Sequence, residues 1–219
     1  LASHSALPRE GHLDAVLHVY SYLRKRHNSQ MVFDPKEPRL DAEFNPCDWS
    51  EFYRDAEEAL PANAPEPLGT EPLIRMFVDS DHAGDKVSRR SRTGFLIFLN
   101  NALIVWVSKK QSTIETSVFG AEFCAMKHGI ETLRGVRYKL RMMGIPVSSP
   151  SYVHGDNKSV VTNSTIPESV LKKKCNSICY HAVRESVAMK EALITHIPTE
   201  KNLADLMTKV LGGFTRRKL

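Results

Sequence analysis

Four acidic residues lie where strands and helices are predicted to end or begin. Asp79 closes the apolar run 73–78, and Asp156 follows the strand-like stretch SYVHG. Glu122 falls in the first turns of a long predicted helix, and Asp205 lies in the last predicted helix, within NLADLMTK. Strand ends and the helix starts beside them share one edge of a parallel or mixed sheet. We therefore expect these four carboxylates to converge.

Convergent carboxylates repel one another unless cations lie between them, and their hard oxygen ligands favour Mg²⁺ or Mn²⁺ over zinc. Two such ions would clamp the attacking water and the leaving oxygen of a phosphodiester. Each acid alone also has a structural interpretation, because an aspartate at a strand end is commonly a turn residue and Asp156 could cap a helix. Asp81 shares a face with Asp79. We select Asp79 because it ends the apolar strand directly.

The elements around these acids predict a mixed α/β sheet flanked by helices. Apolar and alternating runs predict five strands, at 73–79, 93–100, 102–108, 151–155 and 192–198. Helical patterns cover 9–27, 117–143, 156–163, 178–190 and 203–210. Asn100 and Asn101 predict a tight turn that joins the second and third strands as a hairpin. Trp106 on that hairpin is predicted to lie in the core.

Seven prolines punctuate residues 34–72, which predicts a linker or irregular loop there. We therefore predict four parts: a helical segment 1–34, a Pro-rich linker 35–72, a mixed-sheet domain 73–211 and a basic tail 212–219.

Composition restricts the class of protein only mildly. The formal charge of +5 and the pI of about 9.0 permit a polyanionic partner without requiring one. Four unevenly spaced cysteines do not suggest a disulfide framework, so a reducing, intracellular compartment is expected. No apolar run approaches the roughly 20 residues needed to span a bilayer, so no membrane association is expected.

Six pieces in order resemble the ribonuclease H domain at the end of a copia-type retrotransposon polyprotein. They are FVDSDHAGD, SRRSRTGFLIFLNNALIVWVSKKQST, ETSVFGAEFCAM, YVHGDNKSVV, YHAVRE and NLADLMTK. The stretch PREGHLDAVLHVYSYLRKRH resembles the segment that joins the reverse transcriptase thumb to that domain. We accordingly expect this chain to be a piece of a longer polyprotein, with the reverse transcriptase as its partner.

The resemblance implies a ribonuclease H-like fold and metal-dependent cleavage of the RNA strand of RNA–DNA hybrids. Asp79, Glu122, Asp156 and Asp205 match the four catalytic, metal-binding carboxylates of the family, which bind two Mg²⁺ ions that Mn²⁺ can replace. A location in the cytoplasm, in retrotransposon particles or in the nucleus follows from this assignment. The chain contains no Tyr-x-Asp-Asp signature, so no polymerase activity is expected.

Several polar residues are candidates for contact with the nucleic acid. The resemblance assigns Lys109 and Lys110 to the substrate backbone, while Arg92 and Lys172 belong to basic clusters that either contact phosphates or simply remain solvated. Asn157, beside Asp156, either hydrogen-bonds a ribose 2′-hydroxyl or serves as a helix-start residue.

Two departures from the family pattern keep other functions open. No histidine lies between Pro198 and Asp205, where many ribonucleases H carry a mobile one. Cys175 stands about where copia-type sequences commonly have a Lys-His pair, and with Cys179 and His181 it offers too few ligands for structural zinc. The main alternative is a nucleic-acid-binding relic without hydrolysis. A transposase or integrase on the same fold is the other, although such enzymes typically use three acids.

Overall fold

The structure is a computed structural model that describes residues 5–40, 42–172 and 174–212. The predicted basic tail lies outside the described residues from position 213 onward. The chain divides into two compact units, Leu1–Phe33 and Asp34–Leu219.

The first unit is built on one helix, α1 (Glu10–Lys25), close to the predicted 9–27. Glu10 in its first turn and Arg24 and Lys25 in its last turn match the helix dipole, which favours anions at the N-terminus and cations at the C-terminus. The backbone N–H of Arg9 donates to the His12 ring at 3.0 Å, which satisfies one amide at the helix start.

The second unit contains a five-stranded mixed sheet with the order β3-β2-β1-β4-β5. Its strands are β1 (Ile74–Asp81), β2 (Arg92–Leu99), β3 (Ala102–Lys110), β4 (Ser151–Gly155) and β5 (Ala192–His196). The first three form antiparallel pairs, and β1, β4 and β5 run parallel. Asn100 adopts a φ of 52°, as a tight β2–β3 turn requires. The predicted mixed five-stranded sheet is confirmed.

Among the described residues of this unit, four helices accompany the strands. They are α2 (Val118–Met142), α3 (Lys158–Thr165), α4 (Ser177–Ala188) and the short α5 (Asp205–Thr208). The last is shorter than the predicted 203–210. Two 3₁₀ turns, Lys174–Asn176 and Thr199–Lys201, precede α4 and α5. None of the helices within the described ranges is long and apolar enough to cross a membrane.

Helix α2 packs across the sheet and forms the core with it. The side chain of Ser117 accepts a hydrogen bond from the Gly120 amide at 3.2 Å and caps the helix start. Met76 of β1 is fully buried, and a Cβ on Gly129 would lie 2.9 Å from its sulfur. Glycine at this position therefore permits the close approach of α2 to β1.

Residues 34–72, predicted as a linker or irregular loop, are grouped with the sheet in the second unit. We call these residues the N-terminal strap. Within it, Trp49 is only 6% exposed, and Phe44 packs edge-on against Tyr152 of β4. The prolines prevent regular secondary structure, but they do not prevent isolated side chains from anchoring the segment on the domain.

Trp106 also departs from its predicted position, since its side chain is 55% exposed. It pairs with Leu96 in an antiparallel register, and its neighbours Val105 and Val107 pack against the main core. Successive strand residues point to opposite faces, so Trp106 lies on the other face, at the edge strand of the sheet.

Candidate active site

Three aspartates converge at one end of the central strands. Asp79 lies near the end of β1, Asp156 directly follows β4, and Asp205 is the first residue of α5. One carboxylate oxygen from each lies within 4.8 Å of the other two. Because β1 and β4 are adjacent and parallel, their ends lie at the same sheet edge, as the sequence predicted.

Glu122 lies in the second turn of α2 and is 8% exposed. Burial raises the pKa of Glu122 to about 9, and the charges of Asp79 and Asp156 act in the same direction. Glu122 is outside the trio with 4.8 Å spacing, and the effect of the Asp79 and Asp156 charges on its pKa indicates that it lies near them.

The cluster is electrostatically strained. Burial raises the pKa of Asp79 to about 6, despite opposing effects of a hydrogen bond from Thr208 and the charge of Lys209. Two full negative charges 4.8 Å apart repel by roughly 3 to 4 kcal/mol at an effective dielectric constant of about 20. A cation between the carboxylates would remove this cost.

Two residues that follow Asp205 contact the cluster and were not identified from the sequence. The hydroxyl of Thr208 donates a hydrogen bond to Asp79 Oδ2. The ammonium of Lys209 lies 2.7 Å from Asp205 Oδ1 and 3.5 Å from Asp79 Oδ1. Lys209 follows Asp205 by four residues, a spacing that brings opposite charges together on a helix, so this pair could have been found from spacing alone.

The loop between β5 and α5 fixes Asp205 against the sheet. Asn202 is fully buried, donates a hydrogen bond from Nδ2 to the Val78 carbonyl at 3.0 Å, and accepts one from the Ala204 amide at 3.1 Å. A Cβ on Gly94 of β2 would lie 2.5 Å from Thr208 Cγ2. Glycine in the TGF stretch is therefore what lets α5 lie on the strand that pairs with β1.

Asp81 and His196 are not members of the trio. Asp81, the alternative to Asp79, is outside the trio that the described residues form. His196 ends β5, and its Nε2 lies 3.1 Å from the backbone oxygen of Asp156. The imidazole therefore supports the turn that carries Asp156.

The predicted nucleic-acid-binding residues divide into three groups. Arg92, Lys109 and Lys110 lie together because Arg92 pairs with Lys110 across the β2–β3 hairpin, at the same end as the carboxylates. Of these, Lys110 forms an ion pair with Asp85, and Arg92 donates to Ser108 Oγ at 3.3 Å. The other two residues lie outside the hairpin.

Lys172 is exposed and belongs to the segment before α4, on a different part of the chain from the hairpin. Asn157 caps α3, since its Oδ1 accepts a hydrogen bond from the Val160 amide at 3.2 Å. The helix-start role is therefore present, and the side-chain Nδ2 of Asn157 donates no hydrogen bond to the residues that the structure describes.

The donor set fits hard divalent cations. It consists of carboxylate oxygens, and Asp79 and Asp205 are 1% and 6% exposed. In the described part of the chain, no other group of at least three His, Cys, Asp or Glu side chains has ligand atoms this close together. The residues that would hold such ions are the trio, with Glu122 beside it.

Comparison with known proteins identifies relatives for part of this chain. No protein-family model matches. The chain is 29% identical over 143 residues to the Retrovirus-related Pol polyprotein from transposon TNT 1-94 of Nicotiana tabacum, covering 65% of this chain and 11% of that protein. It is 28% identical over 139 residues to the corresponding polyprotein from transposon RE1 of Arabidopsis thaliana, covering 64% and 10%. The chain thus spans about a tenth of the length of these relatives.

Similarity to solved structures is limited, with TM-scores below 0.5 for the two that follow. The N-terminal RNase H domain of Rv2228c from Mycobacterium tuberculosis has a TM-score of 0.48 at 15% identity, covering 63% of this chain and 91% of that one. LC11-RNase H1, solved in complex with an RNA/DNA hybrid, has a TM-score of 0.49 at 19% identity, covering 61% and 92%.

The sheet of the second unit thus joins an antiparallel part, β3-β2-β1, to a parallel part, β1-β4-β5, with helix α2 packed on β1 and β2. Over about two thirds of its length, the chain is therefore similar to a segment of retrotransposon Pol polyproteins.

Proposed function

We propose that the chain hydrolyses the RNA strand of RNA–DNA hybrids in a metal-dependent reaction, as part of a retrotransposon Pol polyprotein. The convergence of Asp79, Asp156 and Asp205 within 4.8 Å carries this proposal. Such a cluster is costly for folding unless cations bind to it, so its presence favours a role in binding cations.

The side chains have distinct roles in the proposed reaction. Asp79, Asp156, Asp205 and Glu122 would hold two Mg²⁺ or Mn²⁺ ions, which supply an activated water and stabilisation of the leaving 3′ oxygen. Thr208 orients Asp79 through its hydrogen bond. The turn at His196 and the loop at Asn202 keep Asp156 and Asp205 in register with the sheet.

Substrate contact is assigned to the basic end of the hairpin. Lys109, Lys110 and Arg92 would contact backbone phosphates, which position a duplex without reading its sequence. Lys172 would add a further phosphate contact. The side-chain Nδ2 of Asn157 would donate to a ribose 2′-hydroxyl and so distinguish RNA from DNA next to Asp156.

The names of the homologues support the polyprotein context of this proposal, because each is a Pol polyprotein of a transposon. The rest of such a polyprotein, including the reverse transcriptase, is the proposed partner. We place the protein inside the cell, in the cytoplasm, in retrotransposon particles or in the nucleus.

The test is cleavage of a labelled RNA–DNA hybrid by the whole chain with Mg²⁺, with Mn²⁺ and with EDTA. Asp156→Asn should lower cleavage by roughly 10³-fold, whereas Asp55→Asn, at an exposed carboxylate of the strap, should leave it unchanged. Duplex DNA serves as the second substrate, and its cleavage would favour a transposase-like activity instead.

The absence of a histidine in the loop between β5 and α5 favours one competing function, a nucleic-acid-binding relic. Binding of the hybrid without cleavage in both Mg²⁺ and Mn²⁺ would establish the relic and overturn the proposed hydrolysis.

A further inference from the structure

The ammonium group of Lys209 lies among the carboxylates of the candidate active site. Its Nζ is 2.7 Å from Asp205 Oδ1 and 3.5 Å from Asp79 Oδ1. Both distances are within ion-pair range, and the two acids belong to the trio whose oxygens lie within 4.8 Å of one another. Within the described residues, the trio forms two ion pairs, and Lys209 is the cation in both of them.

We propose that Lys209 is an internal counter-ion of the carboxylate cluster and competes with divalent cations for Asp79 and Asp205. This inference rests on the proposed metal-dependent function. The oxygens that accept from the ammonium are the hard donors that Mg²⁺ would use. Binding of a divalent cation must therefore weaken or break these ion pairs, and Lys209 lowers the affinity of the site.

The place of Lys209 in the fold permits such an exchange. The residue follows the last turn of α5 with extended backbone angles, φ −115° and ψ 148°. Its side chain is 36% exposed, so the ammonium can reach solvent by rotation of side-chain torsions alone. Asp79 and Asp205, in contrast, are buried and held by the sheet and by the β5–α5 loop. The carboxylates thus stay in place while the lysine can leave.

A single positive charge also cannot balance the cluster. Three aspartates face one another against one lysine. Lys209 therefore reduces the repulsion enough to keep the acids together but leaves a net negative site that still attracts a divalent cation. Its effect is on the affinity for the cation, which makes it a positioning residue rather than a catalytic one.

The experiment measures Mg²⁺ affinity of the whole chain by the dependence of the thermal midpoint on Mg²⁺ concentration and by titration calorimetry. Measurements at pH 8.5, above the raised pKa of Asp79, limit proton binding by that carboxylate. We compare the wild type with Lys209→Met, Lys209→Arg and the control Lys201→Met. Lys201 is an exposed lysine of the same β5–α5 loop with no ion pair in the structure's described part.

We expect Lys209→Met to bind Mg²⁺ about tenfold more tightly than the wild type and to have a lower thermal midpoint in EDTA. Lys209→Arg retains the charge and should restore both values to within about twofold of the wild type. Lys201→Met should change neither. Lys209→Gln provides the same comparison if the methionine variant does not fold in EDTA.

Equal or weaker Mg²⁺ binding by both neutral variants would overturn the competition. A wild-type chain whose midpoint does not respond to Mg²⁺ or Mn²⁺ would instead overturn the proposed metal-dependent function. The two failures are therefore distinguishable. In the first, the wild type responds to Mg²⁺ but the neutral variants bind it no more tightly, whereas in the second the wild type itself does not respond.

Discussion

A carboxylate lies at each end of helix α2, Glu122 within the helix and Glu58 on the strap beside it, and their surroundings favour opposite protonation states. At its N-terminal end, Glu122 faces Asp79 and Asp156, and burial raises its pKa to about 9. At its C-terminal end, Glu58 of the strap accepts paired hydrogen bonds from Arg137 and Arg141, all at 2.6 to 2.7 Å.

Burial alone would raise the pKa of Glu58 as well, but the hydrogen bonds from Arg137 and Arg141 outweigh it and lower the pKa to about 2. The Arg137 side chain is only 1% exposed, so the strap supplies the partner without which this guanidinium would be buried unpaired. One end of α2 thus serves the stability of the fold. The other end faces the like charges of Asp79 and Asp156, and such pKa-raising arrangements are common at functional sites.

The largest expected difference is between two substitutions that each remove one negative charge, Asp156→Asn near Glu122 and Glu58→Gln beside Arg137. Asp156→Asn should lower hybrid cleavage by roughly 10³-fold, because it removes a proposed metal ligand. The same change should raise the thermal midpoint in EDTA by a few degrees, because it relieves like-charge repulsion. Cleavage assays and thermal melts check the two effects, and a lowered midpoint would contradict the electrostatic account.

Glu58→Gln should have the opposite effect on stability. It leaves Arg137 without its buried anion, and breaking a buried pair typically costs about 3 to 5 kcal/mol of unfolding free energy. Urea denaturation measures the loss, with the exposed neighbour Glu57→Gln as the matched control. A change as small as that of the control would mean that the strap is only loosely held.

The two ends should also give opposite pH dependences in EDTA. Glu58 has a folded pKa of about 2 against an ordinary value of 4.5, so its stabilisation is present above pH 4.5 and is lost as the pH falls towards 2. The loss amounts to up to about 3 kcal/mol. Glu58→Gln should flatten this acid limb when urea denaturation is repeated across pH.

For Glu122 the sign reverses. Its folded pKa of about 9 lies above the ordinary 4.5, so the folded state binds the extra proton and stability falls as the pH rises from 4.5 towards 9. Glu122→Gln should remove this downward slope above about pH 6, whereas below that value Asp79, whose pKa is raised to about 6, contributes a slope of the same sign. A slope that persists above pH 6 in that variant would assign the effect to other groups.

The smallest effect is expected from Arg141→Ala. Glu58 would keep its two hydrogen bonds from Arg137, so the expected cost is about 1 to 2 kcal/mol. Arg137 also donates to Ser149 and Ser151, so Arg137→Ala should cost more. A double-mutant cycle with Glu58→Gln measures the coupling. Equal costs for the two arginines would contradict the ranking.

Much of the fold and site followed from local pattern. Periodicity located the strands and helices within a few residues, because burial on one face imposes spacing on the chain. The carboxylates at the ends of β1 and β4 were identified for the same reason, since strand ends define a sheet edge. Asp205 was found through its motif, although α5 spans only four residues.

Other features could not be read from local pattern. The strap has the proline content of a linker, and only its distant partners, Arg137 for Glu58 and Tyr152 for Phe44, make it part of the domain. The exposure of Trp106 depends on which strand lies at the sheet edge and which face α2 covers. Neither the edge position of the strand nor the face that α2 covers can be read from the sequence of the hairpin.

The sequence by itself determined the order of elements, the apolar faces and the acids at their ends, because these depend on neighbours a few residues apart. Only the tertiary structure decided which charges are balanced. Glu58 meets arginines 79 and 83 residues away, whereas Asp79 meets Asp156, Asp205 and Lys209 from other elements. Electrostatic energy depends on distance in space and on burial, and chain folding sets both.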